Sequence, residues 1–462
     1  MDQLSNMAVR DIETVIHPYT NLSTHREQGP NVILEEGKGI YVYDEKGKPY
    51  IEGLSGLWCT SLGYGNEELV ETAATQMRRL SYTHIFGGRS NDMAIELSEK
   101  LKEIVPCEAS KMLFCCSGSE ANDMQVKLTW YYNNARGKPE KKKIISRIKG
   151  YHGVTVASGS LTGLPPVHAD WDLPIQNILH TSFPHYYRMA EDGETEDEFT
   201  DRMAADLQEL IDREGPETIA AFIAEPVLGA GGVIVPPEGY YEKIQAVLEP
   251  HDVRFIADEV ICGFGRTGNW FGTQTMGLKP TSVSMAKAIT SAYYPLGAIS
   301  IEEDLYQAML EQSKKIGTFG HGYTYTAHPV GAAVALKTIE IYERDGIVKH
   351  AAKMSPIFQD RFRKLLDHPL VGEVRGVGMI GACELVADKA TKRAFDPKHL
   401  VGARAVSFCQ NQGLINRQLG DGVALCPPLI ITEAEIHEMF DRLEMGLDDT
   451  EEWVRKEGLR EA

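Results

Sequence analysis

Short apolar runs alternate with amphipathic helical segments between residues 110 and 300 of this 462-residue chain. The runs are too short for helices and show no polar–apolar alternation, which is typical of strands buried in a parallel sheet. Helical segments between them are long enough to act as crossovers. The pattern therefore predicts an α/β fold with a mainly parallel central sheet. The five predicted strands lie at residues 112–116, 144–148, 219–223, 255–257 and 282–286.

The sequence pattern differs on either side of this region. Near the N-terminus, two strand-like runs flank Asp44-Glu45-Lys46-Gly47, which predicts a β-hairpin. After Pro329, two helices, a hairpin near residues 372–386 and a final helix with a capping box at Thr432 predict α+β structure. Residues 160–200 are irregular and predict a surface excursion. We predict a large α/β domain over residues 61–329, a smaller α+β domain over 330–462, and an N-terminal segment, 1–60, packing with the smaller one.

Composition limits the class of protein. The net charge of −19 argues against a nucleic-acid partner. The eight cysteines form no CxxC pair and have no accompanying histidine cluster, so we predict free thiols and no metal site. The N-terminal residues lack an apolar signal core, and no run approaches the roughly 18 apolar residues of a membrane span. These features predict a cytoplasmic enzyme without a membrane partner.

Two matches to GxGxxG, at residues 263–268 and 376–381, suggest dinucleotide binding. That fingerprint requires a preceding strand, a helix that opens inside it, and an acidic residue about twenty positions later. The first match continues into Asn269-Trp270-Phe271 rather than a clear helix, and the second lies among strand-like residues. We therefore predict that neither segment binds a nicotinamide cofactor.

Two predicted strands end in chemically useful residues. Asp258 follows the run at 255–257, and Lys287 follows the run at 282–286. The carboxyl ends of parallel strands meet at one edge of a sheet, where ligands bind. A lysine there can form a Schiff base and an acid can hold a protonated ring nitrogen, the two partners that pyridoxal phosphate requires. Taken singly, Asp258 also fits a helix N-cap and Lys287 a solvent-reaching side chain.

Two further segments fit the same ligand. Ser117, Gly118 and Ser119 open a predicted helix, whose free N–H groups form a ready phosphate site. The alternative is ordinary capping by serine. Tyr151 lies between glycines at a strand end, where its ring could stack on a planar ligand or simply belong to a loop.

These features occur in chain order at successive strand ends, within longer motifs. Over essentially its whole length the chain resembles the class III aminotransferases, which are fold-type I pyridoxal-phosphate-dependent transferases with a large and a smaller domain. It is more closely similar to the ω-amino acid or amine:pyruvate branch. The motifs are SGSEAN at 117–122, YHG at 151–153, EPVLGAGGVIVPP at 225–237, ADEVICGFGRTG at 257–268, Lys287 in MAKAI, HGYTYTAHP at 321–329, and, for the branch, LWCTSLGYG at 57–65 and GLINRQLGDG at 413–422.

The resemblance implies a pyridoxal 5'-phosphate site. Lys287 would hold the cofactor covalently and act as general acid and base, while Asp258 would pair with the ring nitrogen. Thr324 would reach the phosphate from a neighbouring subunit, which makes a homodimer with shared sites, or a tetramer of such dimers, part of the expectation. The implied cofactor-binding residues are Ser117, Gly118, Ser119, Tyr151, His152, Glu225, Asp258, Val260, Lys287 and Thr324.

The resemblance also implies a substrate pocket. Trp58, Phe86, Tyr151, Ala230 and Arg417 would line it, with Phe86 coming from the partner subunit. Arg417 would bind a substrate carboxylate and swing away for an uncharged amine. Ala230 is small, which predicts room for bulky amines.

The implied function is transfer of an amino group from an amine or ω-amino acid to pyruvate, in two half-reactions by way of pyridoxamine phosphate. A decarboxylase or an aminomutase on the same fold is an alternative, because a fold does not fix the reaction. A non-catalytic relative that uses the fold for binding or regulation is another. Lys287, Asp258 and Arg417 argue against this last alternative.

Overall fold

The computed structural model describes residues 4–460, which form three sheets surrounded by helices. The strands are β1 Leu34–Lys38, β2 Tyr41–Asp44, β3 Pro49–Glu52, β4 Lys111–Cys115, β5 Lys143–Arg147, β6 Ile178–Thr181, β7 Ile219–Ala224, β8 Arg254–Asp258, β9 Ser282–Met285, β10 Gly297–Ile301, β11 Val371–Val377, β12 Ile380–Leu385, β13 Leu414–Ile415, β14 Arg417–Leu419 and β15 Gly422–Leu425. The helices are α1 Asn6–Thr14, α2 Leu22–Gln28, α3 Ser55–Trp58, α4 Glu67–Arg79, α5 Asp92–Ile104, α6 Gly118–Ala135, α7 Val156–Leu161, α8 Pro165–His168, α9 Tyr186–Met189, α10 Glu196–Glu214, α11 Tyr240–Leu248, α12 Gly272–Met276, α13 Glu303–Ile316, α14 Pro329–Arg344, α15 Ile347–Lys364, α16 Val401–Asn411 and α17 Glu433–Lys456.

The central sheet has seven strands in the order β4-β10-β9-β8-β7-β5-β6. Strands β9, β8, β7, β5 and β6 are parallel, whereas β10 runs antiparallel to both of its neighbours. Every residue of β7, β8 and β9 is buried, as expected for a sheet covered on both faces. The predicted α/β fold with a mainly parallel sheet is confirmed.

The register of the parallel strands brings three polar residues to one edge of this sheet. Asp258 pairs with Ser284, so Lys287 lies just beyond the same end of the neighbouring strand. Ala224 pairs with Ala257 on the other side, which brings Glu225 to the same edge. Residues that are far apart in the chain therefore meet because consecutive parallel strands end together.

The two smaller sheets have four strands each, in the orders β1-β2-β3-β13 and β11-β12-β15-β14. The N-terminal hairpin joins the C-terminal part of the chain through β3, which pairs in parallel with β13 at Ile51 and Leu414. The boundaries at residues 60 and 329 remain a prediction.

Neither of the two GxGxxG segments contains the start of a helix. Residues 263–268 form turns whose Arg266 is buried and donates hydrogen bonds to the carbonyls of Met379 and Pro427. Residues 376–381 join β11 to β12. None of the eight cysteines is paired, and no helix within residues 4–460 has the length and hydropathy of a membrane span.

Candidate active site

Asp258 is the last residue of β8 and is 3% exposed. Its Oδ2 accepts hydrogen bonds from Asn122 Nδ2 at 2.7 Å and from His152 Nδ1 at 2.8 Å. Its Oδ1 accepts the backbone N–H of Val260 at 3.2 Å. Donors from α6, from the segment after β5 and from the chain just beyond β8 therefore fix this carboxylate in one orientation.

Glu259 is also buried but serves a different purpose. Its two carboxylate oxygens accept the N–H groups of Gly272 at 2.9 Å and Thr273 at 2.7 Å, which caps the first turn of α12. Burial raises the pKa of Glu259 to about 7. Of the two adjacent carboxylates, Asp258 is the one that contacts the segments around residues 122 and 152.

Lys287 begins the turn that follows β9, with a left-handed backbone at φ +52°. Its Nζ lies 5.4 Å from the centre of the Trp58 indole ring. Burial lowers the pKa of Lys287; Cys59, Asp258 and Glu225 oppose this shift, and the positive charge of Arg417 adds to it. An amine with a lowered pKa is more readily deprotonated and is therefore a better nucleophile and base.

The N-terminus of α6 supplies the candidate phosphate site. Ser117 is the N-cap, and its Oγ accepts the N–H of Glu120 at 3.1 Å, so the serine cap considered as an alternative is present. The N–H groups of Gly118 and Ser119 precede the first intrahelical bonds and point out of the helix end. Ser119 Oγ accepts the N–H of Val154 at 3.2 Å, which packs the segment after β5 against this helix end.

Tyr151 is held against the end of β7. Glu225 accepts the N–H of Tyr151 through Oε1 and the N–H of Gly229 through Oε2, both at 2.9 Å. Burial raises the pKa of the Tyr151 phenol; a hydrogen bond with Tyr19 raises it further, and Arg417 opposes the shift. The rings of Tyr19 and Tyr151 are 6.5 Å apart, edge to face.

Arg417 opens β14 and places its guanidinium carbon 4.8 Å from the centre of the Trp58 ring. It is partly buried and forms no ion pair with any residue in the described range 4–460. Trp58 is 2% exposed and lies near both Lys287 and Arg417. A partly buried guanidinium without a carboxylate partner is suited to binding an anionic ligand.

The other predicted site residues are distributed between the interior and the surface. Val260 lies against the start of α6, because a Cβ added at Gly118 would be 3.0 Å from its methyl group. Ala230 packs against the apolar cluster that contains Trp58. Phe86 is 48% exposed and Thr324 is also exposed, on two segments joined by the 2.8 Å hydrogen bond from Tyr82 Oη to the Thr324 carbonyl.

Two residues near the site were not predicted. Asn122 belongs to the SGSEAN motif, and its position one helical turn after Gly118 is a signal that was available in the sequence. Tyr19 lies in an N-terminal segment without any local signal, and only tertiary packing brings it to Tyr151.

These residues meet the requirements of pyridoxal phosphate. A helix end with free N–H groups suits the phosphate, and a buried carboxylate with fixed donors suits a protonated ring nitrogen. The lysine amine lies at the neighbouring strand end. The chemistry and the placement of the donor set therefore fit this cofactor.

Comparison with known proteins gives a consistent picture. The family model "Aminotransferase class-III" matches residues 22–447. Gamma aminobutyrate transaminase 3, chloroplastic, of Solanum lycopersicum is 46% identical over 426 residues, covering 92% of this chain and 82% of the relative. The uncharacterized aminotransferase y4uB of Sinorhizobium fredii (strain NBRC 101917 / NGR234) is 44% identical over 463 residues, covering 99% of both chains.

Solved structures agree closely with the fold. The omega transaminase of Pseudomonas jessenii in complex with PMP has a TM-score of 0.96 and 49% identity, covering 97% of this chain and 99% of that chain. A thermostable omega transaminase, PjTA-R6 variant W58M/F86L/R417L, has a TM-score of 0.95 and 49% identity, covering 97% and 100%. A transaminase with L-ala has a TM-score of 0.90 and 52% identity, covering 92% and 100%.

Proposed function

The chain belongs to the class III aminotransferases, which use pyridoxal phosphate, and on that premise we propose that its amino donors are amines or ω-amino acids and its acceptor is pyruvate. Family membership favours transamination over the decarboxylase and the aminomutase. The observation that carries the substrate proposal is the Arg417 guanidinium, which lies over Trp58 near Lys287 and has no acidic partner within residues 4–460.

The cofactor would be held by residues on four strand ends. Lys287 would hold it covalently, Asp258 would face the ring nitrogen, and Gly118 and Ser119 would bind the phosphate. Tyr151 and Val260 would pack against the two ring faces, with His152 and Glu225 fixing the surrounding loops through their contacts with Asp258 and Tyr151. When bound, pyridoxal phosphate supplies an electron sink for negative charge that develops on the donor carbon.

Proton transfer is assigned to the Lys287 amine. A general base works best when its pKa is close to the operating pH, and burial moves the pKa of Lys287 downward from the usual lysine range. Its Nζ would accept the proton from the carbon that bears the donor amine and deliver a proton on the return path. Asp258, fixed by Asn122 and His152, would stabilise positive charge at the ring nitrogen throughout.

Substrate selection is assigned to Arg417 and its apolar neighbours. A guanidinium can bind the carboxylate of pyruvate or of an ω-amino acid through two parallel hydrogen bonds. Its partial exposure leaves room for it to move aside when the donor carries an apolar group. Small Ala230 leaves space near Trp58 for bulky donors.

Two solved relatives support this assignment. The variant W58M/F86L/R417L is described as engineered for asymmetric synthesis of enantiopure bulky amines, and its three changed positions have the residue types and numbers of Trp58, Phe86 and Arg417 here. Another relative is a transaminase with L-ala, the amino acid that forms when pyruvate accepts an amino group. We also infer a homodimer and a cytoplasmic location, in keeping with the sequence-based expectation.

The test separates charged from uncharged substrates. We expect Arg417→Leu to lower kcat/KM for pyruvate and for β-alanine by about 10- to 100-fold, the value of a hydrogen-bonded charge contact. The half-reaction with an aryl-alkyl amine should change by less than about threefold, because that donor has no carboxylate. Single-turnover bleaching of the cofactor absorbance measures each donor half-reaction, and alanine formation measures the acceptor.

Gln418→Leu is the matched control, because Gln418 is the next residue of β14 and is exposed. This substitution should leave kcat/KM for pyruvate and β-alanine, and the rate of the half-reaction with the aryl-alkyl amine, unchanged. If Arg417→Leu lost the same activity with charged and uncharged donors, the proposed role of Arg417 in binding a carboxylate would be contradicted. Carbon dioxide release, or loss of donor without stoichiometric alanine, would contradict the proposed reaction itself.

A further inference from the structure

Asp11, His17 and His25 form a compact group in the N-terminal part of the chain, here called the N-terminal histidine cluster. His17 Nε2 lies 3.0 Å from the Asp11 carboxylate, and His25 Nε2 also lies 3.0 Å from it. The centres of the two imidazole rings are 4.1 Å apart and the rings are inclined by 32°. His25 is buried, and the other two residues are partly buried.

The geometry of the cluster resembles that of a metal site. One ligand atom from each of the three residues lies within 4.8 Å of the others. Ligand atoms that share one ion with bonds of about 2.0–2.2 Å must lie roughly 3 Å apart, which is the separation between each Nε2 and the carboxylate. Both histidines direct the same ring nitrogen to the same carboxylate, so a single point lies within reach of all three groups.

The cluster joins two helices and their connection. Asp11 belongs to α1, His25 belongs to α2, and His17 lies in the connecting residues 15–21. The helices already pack together, because a Cβ added at Gly29 would lie 3.3 Å from Leu4 and 3.5 Å from Ile12. An ion bound by the cluster would therefore cross-link α1, α2 and the residues between them.

We propose that Asp11, His17 and His25 bind one divalent ion of borderline character, with Zn²⁺ as the preferred ion. Two imidazoles and one carboxylate suit Zn²⁺, Co²⁺ or Ni²⁺, whereas Ca²⁺ and Mg²⁺ prefer oxygen ligands throughout. Three protein ligands leave a fourth position of a tetrahedral ion open to water. The site is separate from the cofactor site and does not depend on the proposed substrates.

The consequence for the protein follows from Tyr19. Tyr19 lies between His17 and α2, and its ring is 6.5 Å from that of Tyr151, which borders the candidate active site. Metal binding would restrict residues 15–21 and thereby hold Tyr19 in position against Tyr151. The role of the ion is structural, and its effect should be greatest on this connection.

The test uses tag-free holoenzyme that has been dialysed against EDTA and then titrated with ZnCl₂ in a calorimeter. Wild type should bind one ion per chain at the cluster. His17→Gln and Asp11→Asn should each weaken that binding by at least about tenfold, because each removes a ligand. His437→Gln, at an exposed histidine of α17, is the matched control and should leave the affinity unchanged. Titration with CoCl₂ should give absorption bands of nitrogen and oxygen ligation rather than thiolate ligation.

Hydrogen–deuterium exchange provides the second measurement. Exchange in residues 15–21 should slow when ZnCl₂ is added to wild type and should not slow in His17→Gln. If wild type bound no Zn²⁺, or if His17→Gln and Asp11→Asn bound it as tightly as wild type, the proposed metal site would be refuted. Binding at the cluster without slower exchange in residues 15–21 would overturn the proposed restraint on Tyr19.

Discussion

Asp258 and Glu259 are adjacent in the chain and both are buried, yet they contact different groups. Alternation along β8 directs Asp258 to the donors of Asn122 and His152, and Glu259 turns to the N–H groups that open α12. The strand pattern alone places both carboxylates at the end of a strand and does not distinguish their roles, whereas the family resemblance singles out Asp258. At the scale of single residues, their hydrogen-bond partners make the distinction.

A pair of isosteric substitutions tests this distinction. We expect Asp258→Asn to lower kcat by at least about a hundredfold, because it removes a fixed negative charge from the proposed ring-nitrogen contact. Glu259→Gln should lower the melting temperature, since one acceptor for α12 is lost, and should change kcat by less than about threefold. Steady-state kinetics and thermal unfolding of both variants provide the comparison. Wild-type turnover in Asp258→Asn would refute the role of the carboxylate.

At the scale of elements, most helices and parallel strands of the central region could be predicted from hydrophobic pattern. The predicted strand at 219–223 is part of β7, and the predicted helix beginning at Tyr240 is α11. Strands β6 and β10 were not predicted. The four residues of β6 are only half buried and lie within the region predicted to be an irregular surface excursion, so they carry little apolar pattern. Pairing with β5 stabilises β6 as a strand.

In the candidate site, too, some features could be predicted from sequence pattern and others depend on tertiary packing. Asp258 and Lys287 could be predicted because parallel strand ends meet at one edge whatever the loops do. The proximity of Trp58, Arg417 and Lys287 was expected only from the family resemblance and not from strand pattern, since these residues belong to α3, β14 and the turn after β9. Their contacts depend on how three separate sheets pack, and no local pattern records that packing.

The contact between α6 and the segment after β5 depends on Gly153. Its φ is +135°, and an added Cβ would overlap Ser158 Oγ and come within 2.5 Å of Ser119 Oγ. We expect Gly153→Ala to displace the start of α6 and raise the dissociation constant of the cofactor by about 10- to 100-fold, the loss of one hydrogen bond to a charged group. Equilibrium dialysis of the apo protein with pyridoxal phosphate measures this.

Gly137→Ala is the control for the backbone effect alone. Gly137 has φ +72°, and no atom lies within 4 Å of the point that an added Cβ would occupy. The only expected cost of the substitution is therefore the backbone strain of an alanine in the left-handed region, about 1–2 kcal/mol. The substitution should lower stability and leave cofactor affinity unchanged. If both variants lost affinity equally, general destabilisation rather than the helix end would explain the result.

At the scale of the whole molecule, the predicted site residues Phe86 and Thr324 lie on the outside of a single chain. Tyr82 and Tyr325 are exposed beside them, so this surface carries several large apolar groups. Exposed apolar patches of this kind commonly mark an interface. The surface is consistent with the inference that each subunit completes the site of its partner.

Subunit mixing tests whether Thr324 acts across the interface. Lys287→Ala and Thr324→Asp should each be nearly inactive, the first without the amine and the second with a charge that repels phosphate. Mixed dimers should recover about half of the wild-type activity per dimer, because one of the two sites then has both residues intact. Activity is measured after refolding the two variants together. If mixed dimers form but no activity is recovered, Thr324 acts in the site of its own chain.

The parallel pairing of β3 with β13 has a consequence for biosynthesis. Ile51 is synthesised more than 350 residues before its partner Leu414. Until Leu414 has been synthesised, the edge of β3 that pairs with β13 remains open and the side chain of Ile51 is not fully covered. The N-terminal hairpin of the nascent polypeptide can therefore complete its sheet only after the seven strands of the central sheet have been synthesised.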